Sequence, residues 1–286
     1  MGGAPVKNPL WLNLVAIAGG ILGCSVLGGG VFLMSAGLQE VGAAQPEKVS
    51  ANDRAQMQAE MRASMDLLEA AANGESPEAV AAKAAATAPV GAPAGGAGGD
   101  AQALSKLMRD IVTSSLAAQQ EYQKAIEDIG IARLLDAKRV DEDTSLRESR
   151  AMVRKAREAV QRMREKIPEM QARARETIEK SSLSDPAKRQ ALRGFDASRK
   201  QNDAVAQESV DLEAQMIDGL SEAVEFLGSH RGSWSAVNGQ FEFTDQGALD
   251  EYEAILQRVD ELGKKQQALA AQLMQRQRER IDQMGR

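Results

Sequence analysis

Between residues 146 and 174, apolar and small side chains recur on alternating three- and four-residue steps. They are Leu146, Val153, Ala156, Val160, Met163, Ile167, Met170 and Ala174, with Ser149 in the one remaining place. A seam of this period marks a helix packed along its whole length against other helices. The rest of the chain has to supply those helices. Aromatic residues make up 3% and hydrophobic residues 43%, much of the latter alanine, which buries little area per residue. Such a composition suits long helices in narrow layers rather than a thick globular core.

Three further stretches repeat the pattern. Residues 101–139 carry Leu104, Leu107, Met108, Ile111, Leu116, Tyr122, Ile126 and Ile129. The sequence DEDTS separates them from a helix expected over 144–181, in which Pro168 predicts a kink or local break. SLSDPAK then stops and restarts the chain, with Pro186 suited to a first turn and Ser184 or Asp185 to a cap. The next helix reaches about Leu227 through Leu192, Phe195, Val205, Leu212, Met216, Leu220 and Val224. A last one begins near Gln246 and keeps the alternation with Ile255, Val259, Leu262, Gln266, Leu269 and Leu273. Short connections between helices of matched length predict an elongated antiparallel bundle or coiled coil over 101–286.

One segment is not helical. In GSWSAVNGQFEFTDQ the pair Asn238-Gly239 signals a type I′ hairpin within 232–244, because both central residues need positive φ. That turn sets Trp234 opposite Phe243 and Ala236 opposite Phe241, so one side of the ribbon is apolar. A lone ribbon is barely stable in water, so this side must bury. It either folds onto the bundle end as a plug or meets a partner, which makes Trp234, Phe241 and Phe243 a candidate binding tip. His230, just upstream, reads as a helix-end residue near exposed carbonyls. Across residues 225–256 this helix–hairpin–helix segment, with Asn238, Gly239, a following Phe and Glu251-Tyr252, resembles an uncharacterised family of bacterial envelope lipoproteins of enteric bacteria. The resemblance implies an envelope location and supplies no activity.

The N-terminal part reads as address. Residues 10–38 carry no charge, more than the roughly 20 residues needed to cross a bilayer core. Lys7 precedes this run while Glu40 and Glu47 follow it, which predicts residues 1–9 in the cytoplasm, a single transmembrane anchor, and the bulk outside the inner membrane. Gly23-Cys24 also permits a cleaved lipoprotein acylated at Cys24. However, the chain stays apolar for another dozen residues after Ser25, which a lipoprotein does not need, so an uncleaved anchor is the expectation. Ala16, Gly20, Cys24 and Gly28 recur every four positions, which is either a small-residue stripe that lets two membrane helices pack closely into a homo-oligomer or simply the glycine common in membrane helices. Residues 39–72 form a juxtamembrane segment with a short helix bearing Met57, Met61, Met65 and Leu68 on one face. Residues 73–100 are rich in Ala, Gly and Pro and read as a flexible tether.

Function classes narrow by exclusion. A net charge of −6 argues against nucleic acid as a partner. Arginine and lysine are dense in RKAREAVQRMREK, but Glu148, Glu158, Glu165 and Glu169 offer compensating charge at helical spacing. The single cysteine lies in the apolar segment and the single histidine has no companion ligand. The sequence therefore points to no catalytic residue, metal or cofactor. The expectation is a membrane-anchored periplasmic scaffold that binds a protein or an envelope polymer, with a ligand-sensing bundle as its variant.

Overall fold

The structure is a computed structural model that describes residues 99–284 together with positions 59, 62, 63, 66, 70, 79 and 83. The expected anchor over 10–38, its stripe Ala16, Gly20, Cys24 and Gly28, and Cys24 as an acylation site lie outside the described residues. Among the described residues no helix is long and apolar enough to cross a membrane.

The described chain is mainly helical with one two-stranded antiparallel hairpin. Helix α1 spans Gly99–Ile129, a 3-10 turn Ile131–Arg133, α2 Ala137–Glu142, α3 Arg147–Lys180 and α4 Asp185–Ser229. Strands β1 Trp234–Val237 and β2 Gln240–Phe243 precede α5 Gln246–Met284. The chain divides into two compact units, one holding residues 122–164 and 209–268, the other the described parts of 23–121, 165–208 and 269–286.

Unit one is organised by α3 and α4. Arg150, Arg157 and Arg164 stand one heptad apart on α3 and pair with Glu225, Asp218 and Asp211 of α4, themselves one heptad apart in the reverse sense. The Arg150–Glu225 pair is bidentate, at 2.7 and 2.6 Å. Matched rungs in opposite order mean that the two helices run antiparallel, as flanking charges in a coiled coil require. Val153, Ala156, Val160 and Met163 of α3 and Met216, Ile217, Ala223, Val224 and Leu227 of α4 are all buried. Ile255, Leu256 and Val259 of α5 are buried in the same unit. Gly219 faces Val259 so closely that a Cβ there would come to 2.5 Å from its methyl carbon. Leu146, just before α3, adopts a left-handed φ of 55° and fills the space where a side chain at Gly228 would stand.

Unit two has a core of small and aliphatic residues. Leu104, Leu107, Ile111 and Val112 of α1, Ala174 and Ile178 of α3, Leu183, and Ala187, Ala191 and Phe195 of α4 form one cluster. Ala70 joins it, and positions 59, 62, 63, 66 and 70 are helical, in keeping with a short helix on the bundle. Asp100, in the first turn of α1, accepts from the amide and hydroxyl of Ser184, the residue before α4. Arg175–Asp196, at 2.5 Å, and Lys166–Glu121, at 2.6 Å, tie the flanks.

The structure differs from the sequence reading at four points. The first long helix was expected to run to 139, but it ends at Ile129, because Gly130 turns left-handed at φ 72° and starts a 3-10 turn. Asp136 then caps α2, its carboxylate accepting from the amide of Arg139. The break expected at Pro168 is absent: α3 runs through it. Pro168 is exposed, so the helix hydrogen bond it removes lies on a side open to water. Ala79 and Lys83, inside the expected tether, are helical, and the alanine-rich run around them favours that conformation. On α3, Ile167 and Met170 of the expected seam are only half-buried.

Candidate functional site

The region with the most specialised chemistry is the end of unit one, where α2 and the hairpin meet. The ribbon pairs Trp234 with Phe243, Ser235 with Glu242, Ala236 with Phe241 and Val237 with Gln240, the register that the Asn-Gly turn sets. Asn238 and Gly239 have φ of 51° and 79°, as a type I′ turn requires. Trp234 is buried, and its indole N–H donates to the carbonyl of Leu227 at 2.8 Å. Phe241 and Phe243 are half-buried. Their rings surround Tyr252 of α5 at centroid distances of 5.7 and 5.4 Å, and Phe241 meets Trp234 edge-on at 5.0 Å. Phe226 stacks on Tyr252 from the α4 side. Burial raises the Tyr252 phenol well above its ordinary range, so it stays neutral.

Of the candidate tip residues, then, Trp234 belongs to the interior, while Phe241 and Phe243 keep part of their surface in water. His230 behaves as a helix-end residue. Its Nδ1 lies 3.0 Å from the carbonyl of Phe226, and its ring stacks on Phe226 at 4.0 Å.

Two arginines that the sequence reading passed over hold this end together. Arg231 donates to the carbonyls of Val140, at 2.8 Å, and Asp143, at 2.6 Å, at the C-terminal end of α2. Its guanidinium also lies 5.6 Å from the Trp234 ring centre. A helix C-terminus exposes carbonyls and partial negative charge, which a fixed cation satisfies. Arg139 is buried and donates to the carbonyls of Arg133 and Leu134 and to the hydroxyl of Ser149. Ser149, the polar gap in the α3 seam, in turn donates to Asp143 from both its amide and hydroxyl. Burial pushes the Asp143 carboxyl up, but the amide and hydroxyl of Ser149, the amide of Glu148 and the charge of Arg139 together hold it below the ordinary aspartate value. Ser149 is thus a hub of this network. The signal for it was its place in the seam, where an apolar residue was due.

This constellation grips backbone. No group of His, Cys, Asp and Glu among the described residues has the geometry of a metal site. Comparison with protein-family models, curated proteins and solved structures finds no match to this chain.

Proposed function

We propose that the chain is an interaction protein: a helical scaffold, anchored in the bacterial inner membrane by residues 10–38, whose bundle stands in the periplasm and binds another protein or an envelope polymer. The observation that carries this reading is the hairpin end of unit one. There a ribbon too small to be stable alone is fixed by Trp234, Arg231 and Tyr252, and it holds an exposed Asn-Gly turn and half-exposed Phe241 and Phe243 in a set position. Half-buried aromatics on a rigid support are suited to anchoring a partner, since little side-chain freedom is lost on contact.

A photocrosslinking residue at Ser235 or Glu242 in cells tests the site. A discrete adduct of one partner is the expected result. Absence of any tip adduct, with adducts from the outer face of α3 at Arg154 instead, would move the binding surface to that helix. The intact mass of the membrane-extracted protein tests the address: full length supports the anchor, and a diacylglyceryl species starting at Cys24 replaces it with a lipoprotein.

A further inference from the structure

Unit one also contains a deeply buried carboxyl group that takes no part in its ion-pair ladder. Glu213 of α4 is buried, at 6% exposure, and its carboxyl meets the hydroxyl of Tyr122, near the end of α1. Tyr122 is equally buried. One helical turn before Glu213, Ser209 is also buried, and Gln266 of α5 reaches its hydroxyl at 3.5 Å. The side-chain carbonyl of Gln266 has no hydrogen-bond partner. Three helices therefore contribute polar groups to one stretch of an otherwise apolar interior.

Two cations of the neighbouring turns are engaged elsewhere. Arg164 of α3 pairs with Asp211, and Lys264 of α5 pairs with Asp260 at 2.6 Å. From α1 the group that faces Glu213 is Tyr122, which carries no charge at neutral pH. Burial alone raises the Glu213 carboxyl well above its ordinary range, with no charge offsetting it. A buried carboxylate without a cation is costly, and such a group keeps its proton instead.

We propose that the Tyr122–Glu213 contact is a proton-dependent latch that fastens the end of α1 to α4 while Glu213 is protonated and releases it when Glu213 ionises. In the protonated state the Tyr122 hydroxyl donates to the carboxyl oxygen and the interior holds no net charge. Loss of the proton leaves a carboxylate with one neutral donor. Water can reach it only if residues 122–129 swing off α4. The folded state binds the proton more tightly than the open state does, so the latch is strongest below about pH 4.3, the ordinary glutamate value. It weakens as the pH rises from there to the higher value of the buried group, and is flat beyond it. This property is independent of whatever the hairpin end binds.

Native-state hydrogen exchange of the full chain, followed over residues 122–129 and corrected for intrinsic rates, measures the opening equilibrium directly. In the native protein that equilibrium should rise on the order of tenfold per pH unit between about pH 4.3 and the higher value of the buried group, the slope of one linked proton. In Glu213→Gln, which is neutral at every pH and still accepts from Tyr122, the slope should disappear. An infrared carbonyl band of a protonated carboxylic acid should persist above about pH 4.3, where exposed glutamates have ionised, and be absent from the same variant. Equal slopes in the two proteins, or no difference in that band, would overturn the latch. Because the infrared band reads protonation without reference to opening, the proposal stays testable even if Glu213→Gln changes overall stability.

Discussion

All described aromatic residues except Phe195 belong to unit one, whereas the cluster around Phe195 in unit two is alanine, leucine, isoleucine and valine. The difference follows from what each unit has to hold. Unit two packs helix on helix, and small residues let backbones approach, so volume is supplied by many modest side chains. Unit one also carries a hairpin, a 3-10 turn and the short α2, whose irregular backbones leave gaps that only large rings and arginine forks fill. A composition poor in aromatics is thus not thinly spread; it is concentrated where the helical pattern stops.

The strongest way to break this comparison is to remove the large ring from each unit. Trp234→Ala and Phe195→Ala should each cost about 3–5 kcal/mol in chemical denaturation. Hydrogen exchange should report the first loss over residues 226–256 and the second over 185–200. Identical exchange patterns for the two variants would mean that the units do not differ as described. Gly219→Ala asks whether helical approach is as tight in unit one. Alanine adds about 1 kcal/mol of helix propensity, but its methyl meets the stiff Val259 side chain, and overpacking costs about 1–3 kcal/mol. The denaturation midpoint should therefore fall, and a rise would show that Val259 yields.

A smaller effect separates the polar network from the rings. Asp143 is held below the ordinary aspartate value of about 3.9. Its contribution is therefore complete above that pH and disappears as the pH falls through the lower, folded value. Asp143→Asn should flatten the acid limb of the stability profile of unit one while leaving the hairpin register intact by amide exchange. The smallest change is expected on the surface. Exchanging the charges of Arg157 and Asp218 should leave the midpoint nearly unaltered, as for exposed pairs generally. Reversing Arg157 alone sets like charges opposite each other and should cost more than the exchange does.

Legibility in the sequence divides along the same line. The α3 seam from Val153 to Met163, the restart at Pro186 and the hairpin register all rest on local rules, period or turn chemistry, and the structure has them where those rules place them. The stop at Gly130 was hidden because Ile131, Leu134, Leu135 and Val140 continue the apolar pattern, although Gly130 and Asp136 carried the signal of a terminus and a new cap. Arg139 and Arg231 were not legible, because a buried arginine looks like any other until the carbonyls it serves are folded beside it. Glu213 was hidden for the converse reason. Its burial depends on which face α4 turns inward, and a charged residue gives no hint of that.

The left-handed turn at Leu146 has a consequence for the ladder of arginines and acids beside it. Rungs repeated every seven residues are interchangeable, so sliding α3 by one heptad against α4 would still bring charge to charge. Leu146, turned left-handed, is seated in the space beside Gly228, a contact that belongs to one register of the two helices. That contact works as the zero mark on a ruler whose graduations are otherwise identical.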